Sequence, residues 1–150
     1  MNNDTNIVIF IAIIGEQREL IVWRTFAGHN EADLHLSAYA AMDIIQEKLV
    51  IQHYSSTARD NAEPYLGFIT PTLVGEEFYK IHAYSAATGF TVIGIFNDQD
   101  LHPTTIKRFF EKIHTLFAMT ICNPLMSMRF QSPKFISEID RIAATFTKSE

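Results

Sequence analysis

With a single cysteine, Cys122, an internal disulfide has no second partner, and a zinc site built from thiolates has too few ligands. That count fits a reducing compartment. Charge is scarce too: charged residues make up 19% of the chain, against an ordinary share of about 25%. The balance is acidic, with a net charge of −5 and a pI near 5.6. A general nucleic-acid binder needs a basic footprint, so no nucleic-acid partner is expected. The apolar run from Ile7 to Ile14 is far shorter than the roughly 20 residues that span a bilayer. Met1 to Asn6 puts no Lys or Arg in front of it, as a signal peptide would. Without secretion, the Asn3-Asp4-Thr5 sequon reads as chance. The expectation is a cytoplasmic chain whose 150 residues form one domain, with residues 1–6 disordered.

Catalytic signatures are missing as well. The chain has no Gly-rich phosphate loop, no His-Glu-x-x-His pattern and no Gly-x-Ser-x-Gly elbow. The histidines at positions 29, 35, 53, 82, 102 and 114 never pair at i, i+4, so they read as surface or hydrogen-bonded side chains. Asp98 and Asp100 suggest a calcium loop, but Pro103 stands where an EF-hand needs Gly and Phe109 where it needs Glu. A turn and capping role fits them better. Cys122 ends an apolar helix stripe and reads as a buried structural thiol. No catalytic residue, cofactor or metal is expected.

Apolar residues are plentiful, including twelve phenylalanines, more than one modest core requires and therefore a pointer to partner surface. Ile7 to Ile14 is apolar at odd and even positions, so both faces of that strand must be covered. Glu19 to Thr25 follows a polar turn as its hairpin partner. Tyr65 to Thr72 contains Pro71, which cannot donate to a ladder and marks a sheet edge. Phe78 to Ser85 comes next, and Phe90 to Phe96 is again apolar on both faces, with Gly75 and Gly89 in the turns. Two central strands placed side by side give an antiparallel sheet of order 2-1-5-4-3. Three helices complete the chain. The first runs from about Glu31 to Ile51 behind an Asn30 cap, with a core stripe of Leu34, Ala38, Ala41, Ile45 and Leu49. The second runs from Pro103 to the Asn123-Pro124 stop, with a stripe from Ile106 to Ile121. The third starts at Ser132-Pro133 and buries Phe135, Ile139, Ile142 and Phe146. The fold class is α/β (α+β) in three layers, with one helix on one sheet face and two on the other. Ser55 to Pro64, polar and without period, reads as a mobile loop.

Two helix faces invite partners. Opposite the core stripe of the first helix lie Leu36, Ala40, Asp43 and Glu47, with Ile44 at the margin. An apolar strip beside acidic residues and small alanines suits packing against another protein's helix. On the second helix, Lys107, Arg108 and Lys112 form a small basic face suited to an acidic partner, to lipid headgroups, or simply to solvent.

The order β-β-α-β-β-β-α-α matches the longin-like folds. Within them, EPYLGFITPT (Glu63 to Thr72) and EFYKIHAY (Glu77 to Tyr84) resemble the third and fourth strands of the sedlin-like subunits of the TRAPP vesicle-tethering complex. Ala41-Met42-Asp43-Ile44-Ile45 with Glu47-Lys48 resembles that family's acidic motif on helix one. Cys122-Asn123-Pro124-Leu125 resembles its Asn-Pro helix stop, with Leu125 where an aromatic is usual. The likeness covers Ile7 to about Phe146 and is strongest to the subunit 2-like branch. It implies a non-catalytic subunit of a multisubunit Rab-exchange factor, partnered by other TRAPP subunits and indirectly by a Rab GTPase. Such a subunit would sit at Golgi and ER–Golgi membranes through the complex. Asp43 is expected to be a docking residue from its position, about 150° around helix one from the middle of the core stripe. A clathrin-adaptor small chain has the same size and fold, but its usual motifs are not evident here.

Overall fold

The computed structural model describes residues 7–26, 30–54, 64–85, 89–97, 101–122 and 133–146, with positions 52–54 and 122 described by backbone alone. In order these form β1 (Val8–Ile14), β2 (Leu20–Thr25), α1 (Glu31–Tyr54), β3 (Tyr65–Val74), β4 (Glu77–Ser85), β5 (Thr91–Asn97), α2 (Pro103–Cys122) and α3 (Pro133–Phe146). The expected disorder of 1–6, the mobility of 55–63, the turn at Asp98 and Asp100, and the Asn123-Pro124 stop lie outside the described residues. So do the surroundings of the Cys122 thiol.

The sheet order is β2-β1-β5-β4-β3, and every pairing is antiparallel. All of β1 and nearly all of β5 are buried, as central strands covered on both faces must be. Their register runs from Ile14 opposite Thr91 to Val8 opposite Phe96. β3 lies at the edge, where Pro71 costs the ladder no donor, and two irregularities break its pairing with β4. The β1–β2 turn closes with Arg18 N–H donating to the Gly15 carbonyl at 3.0 Å, and Arg18 takes a left-handed φ of 64°.

Alternation along the strands divides the core in two. On one face Phe10, Ala12, Ile14, Ile81, Ile93 and Ile95 meet α1. On the other, Ile11, Ile13, Val92 and Phe96 meet α2 and α3. The second core takes most of the phenylalanines, with Phe96 touching Phe109, Phe110 and Phe146 at ring separations of 5.8–6.0 Å. The phenylalanine surplus is thus largely spent inside, and only Phe68 and Phe78 are exposed among the described residues.

Three details depart from the sequence reading. Helix α1 continues to Tyr54. Met42 is buried beside its expected stripe, whereas Leu49 is only partly covered. On α2 the last turn carries Ile121 away from the sheet into exposure, and Thr120 takes the buried place, its hydroxyl satisfied by the Leu116 carbonyl at 2.9 Å.

Candidate docking face

Helix α1 begins where the Asn30 side chain accepts hydrogen bonds from the Ala32 and Asp33 N–H groups, at 2.9 and 3.4 Å. Glu31 and Asp33 then place two carboxylates at the positive end of the helix dipole. Glu31 also accepts from the Trp23 indole at 2.6 Å, while His35 packs edge-on to Trp23 and against Phe10. These contacts fix the start of the helix over β1 and β2.

The inner face of α1 buries Leu34, Ala38, Ala41, Met42 and Ile45 completely. An ordinary surface helix would then be polar outside. This one is not: Leu36 is 69% exposed, and Tyr39, Ile44, Val50 and Ile51 are exposed with it. Leu36, Ala40 and Ile44 recur at i, i+4, i+8 and line a groove of about 310 Å³ against Thr70, Pro71 and Thr72 of β3. The Ser37 and Thr72 hydroxyls, 2.8 Å apart, tie helix and edge strand together at the groove's base.

The five residues singled out in the sequence do not share one surface equally. Leu36, Ala40 and Ile44 meet in the groove. Glu47 is exposed on the crest of the helix. Asp43 faces the other flank, where its carboxylate accepts from Arg18 in the β1–β2 turn at 3.1 Å. Arg18 was not anticipated as its neighbour, because twenty-five residues separate the two. Both side chains are open to solvent, so the pair is screened and contributes little to folding. Its geometry leaves the second Asp43 oxygen available to another donor.

Sequence reasoning missed a second exposed group on the opposite face of the sheet. Leu73 and Phe78 pair across β3 and β4, and Phe68 pairs with His82 further along the same strands. Leu73, Phe68 and Phe78 are all exposed. Phenylalanines on an edge hairpin were the available signal. Among the described residues, no three His, Cys, Asp or Glu side chains are grouped as a metal site would require, and no helix is long and apolar enough to cross a membrane.

The comparisons with known proteins agree on one family. The Sedlin family model matches residues 4–145. A Dictyostelium discoideum protein named trafficking protein particle complex subunit 2-like protein is 26% identical over 142 residues, covering 90% of this chain and 95% of its own length.

Proposed function

This chain belongs to the Sedlin family, and from that premise we propose that it is a non-catalytic subunit of the TRAPP complex, docked through the outer face of α1. The observation that carries the docking role is that face itself. Its inner side already fills the sheet, yet Leu36, Ala40 and Ile44 stay outside, with Glu47 exposed on the same helix and Asp43 on its other flank beside Arg18. Exposed apolar side chains in a contiguous strip next to a preformed groove suit a partner's helix. The subunit would hold the assembly together while nucleotide exchange on a Rab GTPase is performed elsewhere in the complex. It would work in the cytoplasm and reach Golgi and ER–Golgi membranes only through that complex.

Asp43→Tyr tests the reading. The Arg18–Asp43 pair is exposed, so its loss should change the stability of the free chain by no more than about 0.5 kcal/mol. In an interface the same carboxylate would be desolvated against a donor, where truncating one partner costs about 2–5 kcal/mol. Tagged wild-type chain recovered from its native organism should bring down other TRAPP subunits. The Asp43→Tyr and Leu36→Asp variants should melt near the parent temperature yet recover few of them. Normal assembly of both folded variants would remove the α1 face from the account. Recovery of large adaptins by the wild type would replace TRAPP membership with an adaptor role.

A further inference from the structure

Across the sheet from α1, helices α2 and α3 lie side by side and leave an open groove of about 710 Å³ between them. The two walls have the same spacing. Arg108, Lys112, Thr115 and Met119 recur at i, i+4, i+7 and i+11 along α2. Lys134, Glu138, Arg141 and Thr145 do so along α3. Each helix therefore turns one stripe toward the groove for about three turns, roughly 16 Å at 1.5 Å per residue.

The floor is apolar. Leu116 and Ile142 belong to the core beneath, and Met119 rises from them with two thirds of its surface in solvent. The rims are cationic: Arg108 and Lys112 on α2, Lys134 and Arg141 on α3, against the carboxylates of Glu111 and Glu138. Glu138 is already committed, accepting from Arg141 Nη2 at 2.8 Å and Nε at 3.0 Å. Among the described residues that line the groove, Arg108, Lys112 and Lys134 then face only the Glu111 carboxylate, in a chain whose net charge is −5. The basic face on α2 in the sequence is thus half of a two-helix arrangement whose other half is contributed by Lys134 on α3.

We infer that this groove docks an acidic amphipathic helix of a partner protein, with its apolar stripe on Leu116, Met119 and Ile142 and its carboxylates on Arg108, Lys112 and Lys134. Length and charge both fit: three turns of groove take one helix of about eleven residues, and cations flank the floor on both sides. A bilayer fits less well, because the chain's negative charge opposes an anionic membrane. This site stands on the groove alone, whichever complex contains the chain.

A fluorescein-labelled stapled helix with leucines on one stripe and glutamates elsewhere provides the probe, read by anisotropy against the full chain. Saturable binding is expected, weakening several-fold between about 50 and about 300 mM NaCl as screening grows. Lys112→Glu/Lys134→Glu and, separately, Met119→Asp should each weaken it about tenfold or more. All of these positions are exposed, and circular dichroism should show both variants folded. If the charge reversals prove unfolded, Lys112→Gln/Lys134→Gln carries the test. Absence of saturable binding, or binding that these substitutions leave unchanged, overturns the inference. So does flotation of the chain with phosphatidylserine vesicles that the same substitutions abolish, which would assign the groove to a membrane. Self-association of the chain abolished by them would assign it to a second copy.

Discussion

His82 enters the sheet on β4 with Phe68 opposite it on β3 and Gly94 on β5. The residue is only 8% exposed, its ring edge-on to Phe68 and Phe96 and stacked near Tyr65, whose hydroxyl lies 3.0 Å from Nδ1. Burial, and then the nearby Lys80 charge, push its pKa from the ordinary 6.5 down to about 4. The folded value lies below the unfolded one, so the unfolded chain takes up the proton first on acidification. The contribution to stability is complete above pH 6.5 and erodes as pH falls from 6.5 toward 4. The slope is about 1.4 kcal/mol per pH unit, so roughly 2 kcal/mol should be lost between pH 7 and pH 5, before most carboxylates titrate. His114 is also lowered by burial and adds an effect of the same sign, so the measurement must be a difference. Urea unfolding of wild type and His82→Phe at pH 7 and pH 5, followed by far-UV circular dichroism and by the fluorescence of Trp23, the chain's one tryptophan, isolates the His82 contribution. Wild type should lose about 2 kcal/mol more than the variant. Equal losses would mean that His82 is not held neutral by its burial.

Two further expectations concern the packing that holds these surfaces in place. Arg24 donates to Asp140 through Nε and Nη2, both at 2.9 Å, joining edge strand β2 to α3, and this hydrogen bonding raises the Arg24 pKa. The pair is only part-buried, so Asp140→Asn should cost about 1 kcal/mol in urea unfolding; no loss at low salt would mean that the contact is not kept in solution. At Gly94 on β5, an added Cβ would come within 2.9–3.0 Å of the Phe96 and Phe110 rings, both fully buried, so Gly94→Ala should cost about 1–3 kcal/mol in the same assay. An unchanged midpoint would show that those rings have room to move.

The sheet was legible because its rules are local. Two-sided apolarity in β1 and β5 required central places, Pro71 required an edge, and short connections required antiparallel neighbours. The outer face of α1 was legible for the same reason, since helical spacing alone sets Leu36 and Ala40 opposite Leu34, Ala38 and Ala41. What sequence could not supply was contact between distant segments. No periodicity connects Arg18 to Asp43, or Arg24 to Asp140 across 116 positions. Nor does composition reveal that His82, inside β4, sits among aromatic rings while His102, just before α2, is exposed. The basic residues on α2 leave an acidic partner, lipid headgroups and solvent all open until α3 is laid beside them, because a groove belongs to two elements and to neither alone.

The two surfaces also differ in a way that bears on how an assembly subunit works. The outer side of α1 combines apolar side chains with Asp43 and Glu47, while the α2–α3 groove combines them with Arg108, Lys112 and Lys134. The sheet separates them, and at about 10 Å per layer the helix axes on its two sides lie roughly 20 Å apart. That exceeds the Debye length of about 8–10 Å at physiological ionic strength, so charge brought to one face is largely screened from the other. Among the described residues, the layers between are buried side chains rich in isoleucine and phenylalanine, packed on both faces of the sheet. Occupying one surface should therefore leave the affinity of the other nearly unchanged, and substitutions on the two should add. If both proposed docking surfaces are used, the α1 face with Asp43 and Glu47 and the basic apolar α2–α3 groove would join two unlike partners without signalling between them, as a structural connector must.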